Sequence, residues 1–388
     1  MPVKIFSSHP GAFIEQPFLA EIQNLSWEWF VKKGLKEIFD EISPIKDSAG
    51  EFELYFSDHY FDEPKYDEET AWSKSLTYDA PLRVKAKLIN LRSKETKEQE
   101  IYLGDFPIIT SRGTFIINGV ERVVISQLIR SAGIYFTSEA YRGRNLFGAK
   151  VIPDRGSWLE FSTDPDGFIG VKIDRHRKAA ATDLLKIFAN IFKRRDLETN
   201  EAILDLFKNI DINAVHFIEA TLKKSETKSS MESYLEIYKR LRPGDLATPE
   251  NAKNLIDAMF VRNDRYGLSA AGRHKINGRL EISREKNSPL LDLDDIILII
   301  KEIIRLNNDP AAISDDVDHL GNRRVKAVGD LLQSRLRIGM ARVRRTVIDR
   351  MSTLETAVLT PVQLISARQL QAVVRDFFTA SQLSQFMD

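Results

Sequence analysis

Residues 113–128 read Gly-Thr-Phe-Ile-Ile-Asn-Gly-Val-Glu-Arg-Val-Val-Ile-Ser-Gln-Leu, and the Asn118-Gly119 pair inside them decides the local fold. A type I′ turn needs φ > 0 at both central residues, which Asn tolerates and Gly adopts freely. Flanked by Phe115–Ile117 and Val120–Ile125, the pair predicts a tight antiparallel hairpin. Upstream, Leu82, Val84, Ala86 and Leu88 alternate with Arg83, Lys85 and Lys87. That period of two predicts a half-buried strand with a basic outer face. After the polar turn Ser93-Lys94-Glu95-Thr96 the chain is expected to return antiparallel through Ile101 and Leu103. A second β unit is predicted where Trp158–Phe161 faces Phe168–Ile173 across Asp164-Pro165-Asp166-Gly167.

Between and around these strands the period changes to that of a helix. Ile14, Phe18, Ile22, Leu25, Trp29, Leu35, Ile38 and Phe39 are spaced for a helix over residues 14–42. Ser43-Pro44 ends it, because the residue before proline is pushed out of the α region. Short amphipathic helices are expected from about Ala179 to Arg305, with Lys223–Ser230 as a solvated loop. Val328, Leu332, Leu336, Met340, Val343, Val347 and Met351 predict one long helix. The chain is therefore read as α+β with at least two domains. Its 388 residues are ample for that number.

Composition excludes several function classes. Hydrophobic residues are 43% and charged residues 29%, close to the globular average. The longest uncharged stretch, Thr356–Ala367, is interrupted by Pro361 and is too short to span a bilayer. The N-terminus lacks the apolar core of a secretory signal. There is no cysteine, so disulfides, thiolate metal sites and a Cys nucleophile are excluded, and a reducing compartment is expected. The six histidines are scattered without metal-ligand spacing.

The charge balance, 56 Lys+Arg against 56 Asp+Glu, hides a segregation. Asp292–Asp318 holds eight acids and two bases, whereas Gly321–Arg350 holds nine bases and two acids. Eight of those nine bases are arginine, whose planar fork suits phosphate and base stacking. On the long helix Arg335, Arg342 and Arg345 fall on one flank, Arg337 and Arg344 on the other. The alternatives are a polyanion-binding face and a solvated face paired with the acidic segment. Polyanion binding is preferred because few i,i+4 partners exist within the helix.

Other clusters carry less. Asp315, Asp316, Asp318 and His319 resemble a metal or hydrolase cluster, but they lack a second ligand set and read as a turn or helix cap. Asp292, Asp294 and Asp295 read as the cap of an apolar helix. There is no Gly-rich phosphate loop, and Gly156-Ser157-Trp158 is no nucleophile elbow. No metal site and no catalytic constellation is assembled.

Three strings are specific. They are Asp318-His319-Leu320-Gly321-Asn322-Arg323-Arg324-Val325, Gly113–Gly119 running on to Val123–Leu128, and Phe377-Phe378 with Ser381–Asp388. Together they closely resemble the N-terminal part of the bacterial RNA polymerase β subunit. Leu103–Pro107, Arg155–Leu159 and Tyr238–Gly244 match in the same order, so the resemblance covers essentially the whole chain. It implies a mixed sheet-and-helix protrusion domain, residues 1–128 with 318–388, carrying an inserted lobe domain, residues 129–317. In this family the magnesium used for nucleotidyl transfer is held by the partner β′ subunit, so no cofactor is expected on this segment. The resemblance also implies partners: non-template and downstream DNA, nascent RNA, the β′, α and σ subunits, and transcription factors on the lobe. A bacterial cytoplasmic, nucleoid-associated location is implied, with no membrane role.

Residue by residue, Arg130, Trp158 and Asp318 match the pocket that receives a non-template guanine. Trp offers a stacking face, and a carboxylate can accept from the guanine N–H groups. Arg323, Arg324, Lys326, Arg342 and Arg345 match basic positions near single-stranded DNA. Ile125, Gln127, Leu383, Ser384, Gln385, Phe386 and Asp388 match the rifamycin-binding region beside the RNA path. One departure is Ala132-Gly133, where the family usually has Pro-Gly; the lost φ restriction loosens the turn after Arg130. Because the chain ends inside the rifamycin motif, it is expected to be a fragment, inactive alone. The competing expectations are a stand-alone protein-interaction module and, more remotely, an enzyme built on Asp315, Asp316 and Asp318.

Overall fold

A computed structural model describes residues 18–212, 215–283, 288–354 and 359–387. These fall into two compact units. One runs to Gln127 and resumes at Val325; the other is Leu128–Arg324. The chain is α+β, with several antiparallel sheets and helices in both units.

In the first unit, strands Ile45–Lys46, Phe52–Phe61, Asp79–Asn90 and Thr96–Pro107 form one antiparallel sheet in that order. Ala80, Leu82, Val84, Ala86 and Leu88 are buried on one face, as the alternation requires. The opposite face is not a free basic surface. Arg83 pairs with Asp62 (2.6 Å) and approaches Glu100 (3.9 Å), while Lys85 lies 3.7 Å from Asp58. Acids from both sides thus meet two of its three bases, Lys87 having no ion pair among the described residues, which the pattern of a single strand cannot reveal.

The Asn-Gly hairpin forms from Phe115–Ile117 and Val120–Val124. Asn118 (φ 51°) and Gly119 (φ 75°) both occupy the left-handed region, as a type I′ turn demands. Strand Ser384–Phe386 joins its other edge, with Ser384 opposite Val124 and Phe386 opposite Arg122. The long helix Val328–Thr353 and the helix Ala367–Thr379 pack on these sheets. Every apolar position named for the long helix is buried.

The N-terminal helix departs from expectation. Within the described residues helix begins at Glu21, runs to Trp29, passes through a π-helical turn at Phe30–Gly34, and continues over Leu35–Ile42. Ile14 lies outside the described residues. Trp27, Phe30, Leu35, Ile38 and Phe39 are buried, whereas Phe18, Ile22 and Leu25 are more than half exposed. The wider π turn shifts the phase of the apolar stripe, so a single 3.6-residue period selects the wrong face before it.

The second unit is built on a five-stranded antiparallel sheet. Its order is Ala179–Ala180, Ile169–Ile173, Leu159–Thr163, Arg144–Ile152 and Gly133–Tyr141. Among the described residues nine segments of helix follow in sequence, from Ala181–Ile191 through Leu293–Asn308 to the turn Leu320–Asn322, the turn Arg195–Leu197 included. The apolar core lies between the sheet and Ala181–Ile191, Ser230–Leu241 and Leu293–Asn308. Asp292 caps the last of these. Its carboxylate accepts from the Asp295 N–H (2.9 Å), and the Asp295 carboxylate accepts from the Asp292 N–H (3.1 Å). Asp295 also holds Arg273 in an ion pair (2.9 Å) whose side chains are 0% and 3% exposed.

The segment Lys223–Ser230 is not simply solvated. Lys223 and Lys224 end a helix, and Ser229 caps the next one. Thr227 is buried because its carbonyl (2.8 Å) and hydroxyl (3.3 Å) receive the buried Lys186 ammonium. Burial holds that ammonium below its ordinary range, against the opposing pull of Asp183 and Glu232.

Candidate nucleic-acid interface

Many arginines among the described residues pair with acids, and one helix flank whose arginines do not is the candidate surface. In the second unit the acidic stretch is neutralised locally. Arg279 reaches Glu302 (3.0 Å) and Asp315 (3.2 Å), and Arg305 reaches Glu302 (2.7 Å). Burial pushes the Glu302 carboxyl up, but Arg305 and Arg279 outweigh it and hold it below the ordinary range. Asp315 also accepts from the Phe136 N–H (2.8 Å). Asp316 accepts from the backbone N–H groups of Asp318 and His319, the geometry of a turn. Among the described residues no three His, Asp or Glu side chains gather in a way that could hold a metal ion.

In the first unit Arg337 forms a two-pronged pair with Glu41, 2.9 Å at each contact. Arg350 donates to the Gln363 carbonyl at 2.7 Å. On the other flank of the long helix, Arg335, Arg342 and Arg345 are exposed. No acidic side chain pairs with them among the described residues. Asp295, Glu302 and Asp315 of the acidic stretch are thus met within their own unit by Arg273, Arg279 and Arg305, and this flank keeps three guanidinium groups open to solvent.

The guanine-pocket candidates lie in the second unit. Arg130 ends the strand Gln127–Arg130, and its guanidinium is 3.8 Å from the Asp318 carboxylate, which is 79% exposed. Trp158 stands just before the strand Leu159–Thr163, half-buried, its backbone N–H donating to the Asp174 carboxylate (2.8 Å). The loop leading to it carries Asp154, 3.5 Å from Arg324. Arg323 donates to the Leu128 carbonyl (3.4 Å), and its Nε is buried without a partner. The Ser131 N–H bonds the Asn322 carbonyl (2.9 Å), so the two ends of this unit are tied together. The structure thus brings Arg130 to Asp318, and Arg324 to the Trp158 loop. Lys326 belongs to the first unit, where its ammonium donates to the Ser334 hydroxyl (2.9 Å).

The residues matched to the drug-binding region converge within the first unit. Ile125, Gln127, Leu383, Ser384, Gln385 and Phe386 line one open concavity together with Gln382. The Ile125 N–H bonds the Leu383 carbonyl (2.8 Å), and the Ser384 hydroxyl donates to the Phe378 carbonyl (2.8 Å). Arg122 lies 4.2 Å over the exposed Phe386 ring. Asp388 lies outside the described residues. Sequence spacing places its two contributing strings some 250 residues apart, and the pairing of Ser384–Phe386 with Val120–Val124 unites them.

Comparison with known proteins agrees with this layout. Residues 130–326 match the family model of RNA polymerase Rpb2, domain 2. The chain is also 46% identical, over 401 aligned positions, to a DNA-directed RNA polymerase subunit beta of Chloroflexus aggregans. That alignment covers 97% of this chain and 33% of the relative, so the chain spans about a third of the curated relative it matches.

Proposed function

Because the chain belongs to the RNA polymerase β-subunit family, we propose that it is the protrusion-and-lobe portion of a β subunit, gripping DNA during template-directed RNA synthesis. The observation that carries this reading is the flank of Arg335, Arg342 and Arg345, exposed and unpaired among the described residues while neighbouring arginines are committed. A row of free guanidinium groups on one helix flank is the footprint of phosphate contacts.

Within this reading Arg130, Trp158 and Asp318 receive an unstacked non-template base, and Arg323, Arg324 and Lys326 steady the strand. The concavity at Ile125, Gln127 and Leu383–Phe386 takes the rifamycin-class ligand beside the RNA path. Nucleotidyl transfer, and the magnesium it uses, belong to the assembled enzyme with its β′, α and σ subunits. Transcription factors dock on the lobe.

The test is equilibrium binding of the chain to bubble DNA over a range of salt. Replacing Arg342 and Arg345 together by Ala should flatten log Kobs against log[salt] by about 1.4–1.8, two phosphate contacts' worth. The loss should be similar across DNA sequences. An unchanged slope removes these residues from the interface. Binding that tolerates high salt and needs no nucleic acid would instead favour a protein-interaction module.

A further inference from the structure

The first unit contains a second concavity, away from the residues just discussed. It has a volume of about 400 Å³ and lies between the sheet end, the Asn-Gly hairpin and the helix Ala367–Thr379. Its walls carry opposite charge. The strand wall presents Asp79 and Asp105, which sit diagonally across the ladder because Pro81 is paired with Asp105 and Asp79 with Pro107. Such diagonal neighbours share one face of the sheet. The helix wall presents Arg368 and Arg375, two turns apart, with Gln371 between them. Pro107, Ile117 and Phe378 supply apolar surface.

These charges do not satisfy one another. Asp105 Oδ1 is buried and has no hydrogen-bond partner. The carboxylate otherwise meets the exposed Lys65 ammonium in a long 3.4 Å contact and the Tyr102 hydroxyl, which itself accepts from Gln371, so Asp105 is only partly satisfied. No hydrogen bond or ion pair reaches the Asp79 carboxylate among the described residues, and neither arginine has an acidic partner there. A buried acceptor without a donor is costly, and a second carboxylate nearby adds to the cost. A lone cation would meet Arg368 and Arg375, and a lone anion would meet the two aspartates. A dipolar molecule complements both walls.

We propose that this cavity binds an arginine unit, its guanidinium bridging Asp79 and Asp105 and its carboxylate facing Arg368 and Arg375. A guanidinium has five donors in a rigid planar fork and can serve two carboxylates at once, whereas an ammonium is a point charge. The aliphatic stem is the part that packs on Pro107, Ile117 and Phe378. The same chemistry is offered by free arginine and by a polypeptide ending in arginine.

Calorimetric titration of the 388-residue chain with L-arginine, agmatine and the tripeptide Gly-Gly-Arg tests this. L-Arginine should bind saturably at one site, and agmatine, which lacks the carboxylate, about tenfold more weakly, a difference of about 1.4 kcal/mol. Asp79→Asn and Asp105→Asn, which keep side-chain shape, should each weaken L-arginine about tenfold or more. Arg375→Ala should weaken L-arginine and leave agmatine unweakened or bound more tightly, since agmatine brings no carboxylate to that wall. Gly-Gly-Arg binding as well as L-arginine assigns the site to a polypeptide terminus; markedly weaker binding assigns it to the free amino acid. Absence of saturable L-arginine binding, or binding indifferent to both asparagine variants while their melting curves remain cooperative, overturns the proposal.

Discussion

Burial, and behind it the nearby Asp105 carboxylate, raises the Asp79 carboxyl to about 6, with Lys65 opposing only in part. Arg368 and Arg375 face it from the helix across the cavity. A carboxyl whose folded-state value lies above its unfolded one contributes stability that is complete at low pH and lost as pH rises through the folded value. Ionised Asp79 is therefore destabilising at pH 7.5. Asp79→Asn should raise the stability of the chain by about 1–2 kcal/mol at that pH, after allowance for its partial exposure. The gain should shrink below pH 6 and vanish near pH 4, as thermal or denaturant melts at several pH values would show. A pH-independent gain would exclude the carboxyl as its source. Nothing in the sequence marks Asp79, because its neighbour lies on the return strand and register is not written in spacing. Asp292 was legible for the opposite reason: its partner in the cap is three residues away, within reach of a local rule. The pairing of Asp295 with Arg273 was not, since it crosses between helices.

At the scale of elements, the hairpin was readable because one dipeptide carries its whole conformational requirement. The structure adds a second constraint, since a Cβ on Gly119 would stand 2.5 Å from Ser75 Cα, in addition to the φ of +75°. Gly119→Ala should therefore cost about 2 kcal/mol or more, the left-handed penalty plus a backbone clash, measurable in denaturant midpoints. A cost below about 0.5 kcal/mol would mean that the turn relaxes without loss. The long helix was equally plain, its stripe unbroken over seven turns. The first helix was not, because a π turn at Phe30–Gly34 leaves no signal in composition yet rotates everything before it. The arginine flank was predicted from charge alone. What spacing could not supply was where the compensating acids go, and therefore which arginines remain open.

At the scale of the molecule, Leu128–Arg324 is continuous in the chain, has its own core and joins its two ends through Ser131 and Asn322. These are the properties of a domain that folds by itself. Excised as residues 128–324 it should show one cooperative thermal transition, whereas residues 1–127 alone should not, since their core includes Val328, Leu332, Phe377 and Phe378. A non-cooperative melt of the excised segment would refute its autonomy. The Ser384–Phe386 strand gives the same arrangement a consequence in time. Val124 leaves the ribosome long before Ser384, its neighbour in the sheet. At about 5–20 residues per second the interval is roughly 10–50 s. Throughout it the edge of the hairpin stays open and its apolar face lacks the helices that cover it. The intervening segment can fold at once, but the part synthesised first is completed last, and nascent chains stalled between residues 130 and 380 present an unpaired strand edge to whatever chaperones are near.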